Sequence, residues 1–345
     1  MTQKQRMKRK KIYARRRRLI LACVLLLCVG LILLCVALLK IFTGPESTPS
    51  DPSRSETVSA TETTPPPTTA TTVPAPTANP TLDSQITATG AVIYDKTAGR
   101  LLYSKNGTLK LYPASMTKLL TAITAIEYGT EGLTFTVGTE IKLLGLNSST
   151  AGLEAGDQLT FPMLLDLMML PSGNDASYVV AAHIGRLSLE NDDASDAEAV
   201  AEFARMMNET ARELGAENSH FTNPDGYHDP EHYSTAEDML LITQRAMEIP
   251  SIRESVVKPK ARVKMLSGKD RTYGNSNKLV QPASPYYYEG CIGIKTGSTD
   301  EAGACLSAGA LKQGREVYVI VMQSQDDDTR YTDTIALLNF AYSQT

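Results

Sequence analysis

The 345-residue sequence predicts an α/β chain of the α+β kind, an antiparallel β-sheet flanked by helices with a helical lobe. Three observations carry that prediction. Two β-branched and apolar runs, AVIYDK and RLLYSK, surround a KTAG turn in the pattern of a hairpin. The middle of the chain places apolar residues at helical spacing between capping signals. The last third returns to strands, GCIGIKTG, ACLSAGAL and EVYVIVMQ, the last two joined at KQGR, and closes on an apolar helix around TIALLNFAY.

Three segments precede this part. Residues 1–18 carry ten Lys/Arg and no acid. Residues 19–39, from Leu19 to Leu39, form an uncharged apolar run of 21 residues, which at 1.5 Å rise covers about 30 Å, the thickness of a bilayer core. A cleaved signal peptide has an apolar region roughly half as long and ends in small residues. This run ends Ala37-Leu38-Leu39-Lys40, and almost nothing apolar precedes Cys23 to support a lipoprotein site. The expectation is an uncleaved single-pass anchor with a cytoplasmic N-terminus, because the Lys/Arg cluster stays inside. Residues 40–82 read as a linker: from Gly44 to Leu82 there are nine Pro, sixteen Ser/Thr and no aromatic residue. Such a segment buries too little to offset its ordering entropy and reaches on the order of 100 Å when extended. Residues 83–345 have ordinary composition and form the predicted domain.

Beyond residue 18 there are 24 Lys/Arg against 38 Asp/Glu, which argues against nucleic acid as a partner. Cys23, Cys28 and Cys35 lie in the apolar run, leaving Cys291 and Cys305, which flank a presumed turn about equally; a cross-strand disulfide between them is a hypothesis that the sequence leaves open.

Within the domain, a helix is predicted from Ser115, with Leu119, Leu120, Ile123 and Ile126 on one face. Thr160 and Pro162 open another that runs through MLLDLMML to Pro171. Ser195 with Glu198, and Ser234 with Glu237, have capping-box spacing, and Val200, Phe203, Met207, Ala211 and Leu214 follow the first. No repeat is visible.

The chemistry-bearing residues are few. No GxSxG elbow and no phosphate-binding glycine loop occurs. His228 and His232, with Asp225, Asp229 and Glu231 nearby, have the i, i+4 spacing of zinc ligands on a helix. Pro230 between them and the preceding turn Asn223-Pro224-Asp225-Gly226 oppose a helix, so no metal site is expected. Ser115 and Lys118 stand one helical turn apart on the same side. Ser255 and Lys258 repeat the spacing but run into Pro259. Ser172-Gly173-Asn174 follows an apolar helix, and Lys295-Thr296-Gly297 ends a strand; Ser104-Lys105-Asn106 shows that S-x-N alone is cheap. The order S-x-x-K, S-x-N, K-T-G is the informative feature.

That order, with the blocks TGAVIYDKTAGRLLYSKN, PASMTKLLTA, LPSGNDAS, FTNPDGYHDPEHYSTAEDML and GIKTGSTDEAGACLSAGAL, resembles the D-alanyl-D-alanine carboxypeptidases among the penicillin-binding proteins, the S-G-N branch and peptidase family S11. The resemblance covers residues 86 to about 340 and implies a serine β-lactamase/transpeptidase-like fold. It implies a bacterial serine D,D-peptidase on the outer face of the cytoplasmic membrane, needing no cofactor. Its substrates are peptidoglycan stem peptides ending in D-Ala-D-Ala, with β-lactams as covalent inhibitors. By this resemblance Ser115 is the nucleophile, Lys118 the base, Ser172 a proton relay and Asn174 a hydrogen-bonding partner of the substrate amide or of Lys118. Lys295, Thr296 and Ser298 bind the terminal carboxylate, while Gly297 lets the substrate backbone lie close to the strand. The N–H groups of Ser115 and Ser298 form the oxyanion hole. Lowering Lys118 to a working pKa of 7 to 8 requires on the order of 4 kcal/mol favouring the neutral amine, expected from burial and from Lys295 as a neighbouring cation.

Familiar members of this branch often carry a β-rich domain and a membrane helix after the catalytic part. Here Thr345 follows the catalytic part directly, and the linker is expected to set the distance from the membrane instead. Two rivals remain: a β-lactamase of the same fold, for which no E-x-x-L-N glutamate stands between Ser172 and Lys295, and a catalytically silent β-lactam or wall-binding module. No protein partner is evident.

Overall fold

In the computed structural model, residues 79–344 apart from Glu131 are described. The expected cytoplasmic tip at residues 1–18, the expected anchor at residues 19–39 and most of the expected linker lie outside them. Among the described residues no helix is long and apolar enough to cross a membrane.

The described residues begin slightly before the predicted boundary at residue 83. Asn79 Oδ1 accepts the Leu82 N–H at 3.0 Å and caps α1 (Pro80–Gln85), with Leu82 buried. The predicted hairpin forms as β1 (Gly90–Asp95) and β2 (Arg100–Lys105). A 3-10 turn (Ala114–Thr117) then leads into α2 (Lys118–Glu127). The helical lobe follows: β3 (Thr134–Thr136), β4 (Gln158–Thr160), α3 (Phe161–Met169), α4 (Asn174–Leu189), α5 (Asp196–Glu213), α6 (Ala236–Glu248) and α7 (Pro250–Val256). A small hairpin, β5 (Lys260–Lys264) and β6 (Asp270–Gly274), precedes β7 (Cys291–Thr299), β8 (Gly303–Lys312), β9 (Arg315–Ser324) and α8 (Asp327–Ser343). The hairpins β3–β4 and β5–β6 have no counterpart in the sequence reading.

The main sheet has the order β2-β1-β9-β8-β7, antiparallel throughout. Its strands alternate between two cores, as a period of two requires. On β9, Val317, Val319 and Val321 pack with Leu337 and Leu338 of α8. Tyr318, Ile320 and Met322 join the larger core of the helical lobe, with Leu119, Leu164 and Val179. A sheet buried on both faces explains the near-continuous apolar run of β9.

Both helix starts proposed from capping-box spacing exist, but one is displaced. Ser195 and Glu198 make the reciprocal pair of bonds. At α6 the cap is Thr235, whose side chain accepts from Asp238 N at 3.0 Å. Ser234 is unavailable for that role because its carbonyl accepts from Leu111 N at 2.8 Å in a strand bridge and its hydroxyl lies 2.8 Å from Ser219 Oγ. Glu237 instead accepts from Ser104 Oγ.

Cys291 and Cys305 are free thiols, so the disulfide that the sequence left open does not form. The turn falls between Thr299 and Gly303, so Cys305 sits beside it while Cys291 lies at the far end of β7, opposite Ala310. Six ladder positions separate Cys291 from Gly297, the residue opposite Cys305, a distance of roughly 20 Å that no disulfide spans.

The buried carboxylate of Asp333 on α8 clasps the segment leading into β1. It accepts from Thr87 N, Thr87 Oγ1 and Ala88 N at 2.9–3.1 Å, and from Ser324 Oγ at 3.0 Å. Asp333→Ala leaves these donors without their acceptor and is expected to cost about 3 kcal/mol, read as a lower denaturation midpoint in urea.

Candidate active site

Three segments distant in sequence meet at Lys118. The 3-10 turn is tighter than an α-helix, and residues three apart on it eclipse, so Lys118 Nζ lies 2.7 Å from Ser115 Oγ. Ala114, just before Ser115, is held at φ +46°. It can be so held because Gly226 has no side chain: a Cβ there would stand 1.9 Å from Ala114 O. The turn Asn223-Pro224-Asp225-Gly226 therefore closes directly on the residue preceding Ser115. From that turn the Asp225 carbonyl accepts from Lys118 Nζ at 2.8 Å, and Asn174 Oδ1 at the start of α4 accepts at 2.8 Å.

This geometry counts hydrogens. Carbonyl and amide oxygens only accept, so Lys118 must donate to both Asn174 and Asp225. A neutral amine has two N–H groups and one lone pair. With both N–H groups taken, the lone pair points to Ser115 Oγ and can receive its proton. When the amine is charged, its third N–H takes that position, and the Ser115 hydroxyl turns to the Asp225 carbonyl at 3.3 Å.

Burial favours the neutral form. Lys118 is 0% exposed, and loss of hydration brings its pKa from the ordinary lysine range to about 8, while Asp225 and then Asp175 pull it back upward. Lys295, also fully buried, is pushed well below its ordinary value, first by burial, then by Lys118 and by Arg330. The expected repulsion between the lysines thus falls on Lys295, and desolvation dominates at Lys118.

Ser172 is buried at the junction of α3 and α4 with φ +61°. A left-handed conformation in a residue bearing a Cβ costs about 1–2 kcal/mol; Ala114 adjoins Ser115, Ser172 opens the S-G-N motif, and Asn147 of the cleft wall shares the conformation. The Ser172 hydroxyl makes no hydrogen bond to Ser115 or Lys118 in this state. Asp175, following Asn174, accepts from Ala151 N and Leu153 N at 2.9 Å and pins the loop over the cleft, while Asn174 N donates to Ser149 O at 2.8 Å.

The opposite wall is β7. Lys295 Nζ donates to Thr296 O at 3.0 Å, and Thr296 Oγ1 lies 2.7 Å from Ser276 Oγ. A Cβ on Gly297 would lie 2.9 Å from both Ser115 N and Pro113 O. The missing side chain serves the contact between β7 and the nucleophile turn, in addition to any approach by a ligand. Ser115 N belongs to the first turn of a helix, where N–H groups lack intrahelical acceptors.

Arg330 was not singled out from the sequence. It donates to Ser298 Oγ at 2.8 Å and Gly297 O at 3.1 Å, pairs with Asp327 at 3.0 Å, and has a buried Nε without a partner. The signal that could have found it is a cation in the first turn of a helix, where the dipole opposes positive charge. The cleft, about 690 Å³, is lined by Ser115, Asn174, Tyr227, His228 and Ser298 among others.

The remaining candidates separate. His232 is buried, with Nε2 2.8 Å from Thr117 Oγ1 and Nδ1 accepting from Thr222 N at 3.1 Å; burial lowers its pKa to about 3, so it is a neutral brace under the nucleophile turn. His228 lies in the cleft wall against the Tyr112 ring. Among the described residues no cluster of His, Cys, Asp and Glu could hold a metal. Ser255 and Lys258 both bond Asp166, which joins α7 to α3.

Known proteins resemble this chain in the same regions. A family model described as D-alanyl-D-alanine carboxypeptidase, Peptidase S11, matches residues 73–326. D-alanyl-D-alanine carboxypeptidase DacF of Bacillus subtilis (strain 168) is 31% identical over 260 residues, covering 74% of this chain; the match spans 62% of that relative's length. D-alanyl-D-alanine carboxypeptidase of Streptomyces sp. (strain K15) is 31% identical over 268 residues, covering 75% of this chain and 88% of the relative. The crystal structure of the Streptomyces K15 DD-transpeptidase superposes with a TM-score of 0.67 at 30% identity, covering 75% of this chain and 98% of that one.

The depressed pKa of Lys118 has a stability signature. Between about pH 8 and 10.4 the unfolded chain binds a proton that the folded chain does not, so stability rises with pH across that window. Below about pH 8 both states are protonated and the full cost of roughly 3 kcal/mol stands. Lys118→Met removes this group. Its unfolding free energy relative to wild type is expected to fall by about that amount between pH 7 and 10.5, measured by denaturant titration; a constant difference would place the amine in an ordinary environment.

Proposed function

The chain belongs to the D-alanyl-D-alanine carboxypeptidase family, Peptidase S11, and from that premise we propose that it removes the terminal D-alanine from peptidoglycan stem peptides through an acyl-enzyme on Ser115. One observation carries the residue assignment: the two N–H groups of a neutral Lys118 are taken by Asn174 and Asp225, which leaves its lone pair facing Ser115 Oγ at 2.7 Å. Lys118 takes the hydroxyl proton as Ser115 attacks the penultimate carbonyl. The N–H groups of Ser115 and Ser298 receive the developing oxyanion. Ser172 passes the proton to the departing D-alanine nitrogen, and water then hydrolyses the ester. Asn174 orients Lys118 rather than the substrate alone.

The terminal carboxylate is held by Lys295, Thr296 and Ser298. Arg330 supports this reading, because a guanidinium stays charged where a buried lysine does not, and it bonds Ser298 Oγ directly. Gly297 keeps β7 against the nucleophile turn, so the two halves of the site stay in register. Penicillins acylate Ser115 by the same attack. Without an E-x-x-L-N glutamate between Ser172 and Lys295 the acyl-enzyme is long-lived. The domain works outside the cytoplasmic membrane, held by the helix at residues 19–39 on the Pro/Thr-rich linker; the supporting observations are the apolar length and the ten flanking Lys/Arg.

The full chain is expected to release free D-alanine from a peptide ending in D-Ala-D-Ala and to be labelled by fluorescent penicillin. Ser115→Ala abolishes both, and Lys118→Met slows acylation by about 10²–10⁴-fold. Rapid multiple-turnover destruction of penicillin would make it a β-lactamase, and peptide capture without D-alanine release would make it a binding module.

A further inference from the structure

The turn Asn223-Pro224-Asp225-Gly226 enters the site as backbone, and its ionisable side chain has no part in the steps above. Asp225 is 0% exposed. One carboxylate oxygen accepts the Tyr227 N–H at 3.2 Å, and the other is buried without a hydrogen-bond partner. A buried carboxylate with half its acceptor capacity unused is costly unless a positive charge offsets it. The turn has little freedom to relieve it: Asn223 Oδ1 accepts from Gly226 N at 2.8 Å, and Thr121 Oγ1 donates to Pro224 O at 2.6 Å.

Burial pushes the Asp225 carboxyl above the ordinary carboxylate range, and the groups facing it, Lys118 from α2 first and Asn174 from α4, favour its charged form; Tyr178 of α4 also faces it, its phenol pushed up by burial and then by the Asp225 charge. Lys118 is faced in turn by Asp175 from α4, Lys295 from β7 and His232 from the loop after the turn. Of the two acids acting on the amine, Asp225 acts more strongly. Burial lowers the basicity of the amine, and base catalysis is most efficient with a pKa near the working pH.

We propose that Asp225 is a positioning residue for the catalytic amine: its carbonyl aims the Lys118 lone pair at Ser115, and its buried carboxylate keeps the amine basic enough to draw off the serine proton. This rests on Lys118 being the base, as assigned above.

The test is the pH profile of acylation by fluorescent penicillin, measured on the full chain for wild type, Asp225→Asn and Asp225→Thr. Both variants keep an oxygen for the Tyr227 N–H and the same backbone carbonyl, but neither carries the charge. In both, the midpoint of the rise with pH is expected to move to lower pH by about one unit. Midpoints that coincide with wild type or move upward overturn the inference. A loss of rate at every pH with an unmoved midpoint also overturns it, since that is what a purely structural role gives. A wild-type chain that fails to acylate at all sinks the assignment of the base instead, so the two failures are distinguishable.

Discussion

A lysine that is 0% exposed and makes hydrogen bonds only to a hydroxyl, an amide oxygen and a carbonyl has no direct ion-pair partner. Its proton is therefore held loosely, and the surroundings exist to keep it that way. The lobe contributes Asn174, the loop before α6 contributes Asp225, and β7 closes the other side with Lys295. Ser255 and Lys258, at the same spacing, show the contrast: Asp166 takes both side chains in hydrogen bonds, so that lysine has the carboxylate partner that Lys118 lacks.

The main sheet gives that arrangement its rigidity. Because β9 and β8 are buried on both faces, neither core can shift without repacking the other. The left-handed residues Ala114 and Ser172 are held against this background, and close contacts at Gly226 and Gly297 keep the nucleophile turn from relaxing. Strain of this sort persists where the surrounding packing over-determines the backbone. Here that packing comes from β7 on one side and the Asp225 turn on the other.

Much of this was legible in the sequence. Period-two runs gave β1, β2 and β7 to β9, and the spacing of Leu119, Leu120 and Ile123 gave α2. Two of the three motifs supply Ser115, Lys118 and Asn174, which hydrogen bonds join in the structure. What was not legible is backbone chemistry and tertiary choice. A turn signal at Asn223-Pro224-Asp225-Gly226 says that the chain reverses, but not that its third carbonyl meets an amine 107 positions away. The cap of α6 moved from Ser234 to Thr235 because a strand bridge claimed the serine, a competition absent from local spacing. Cysteine pairing failed for a related reason: register, which only the folded sheet sets, put the two thiols at different ends of the ladder.

The bonds that join Lys118 to Asn174 and Asp225 bridge 56 and 107 positions of chain. A nascent or half-folded copy therefore carries an unremarkable alcohol and a fully hydrated amine, chemically inert towards acylating agents. Reactivity arrives only when the last of three remote segments docks. On the proposed function, covalent labelling of Ser115 would count mature molecules alone.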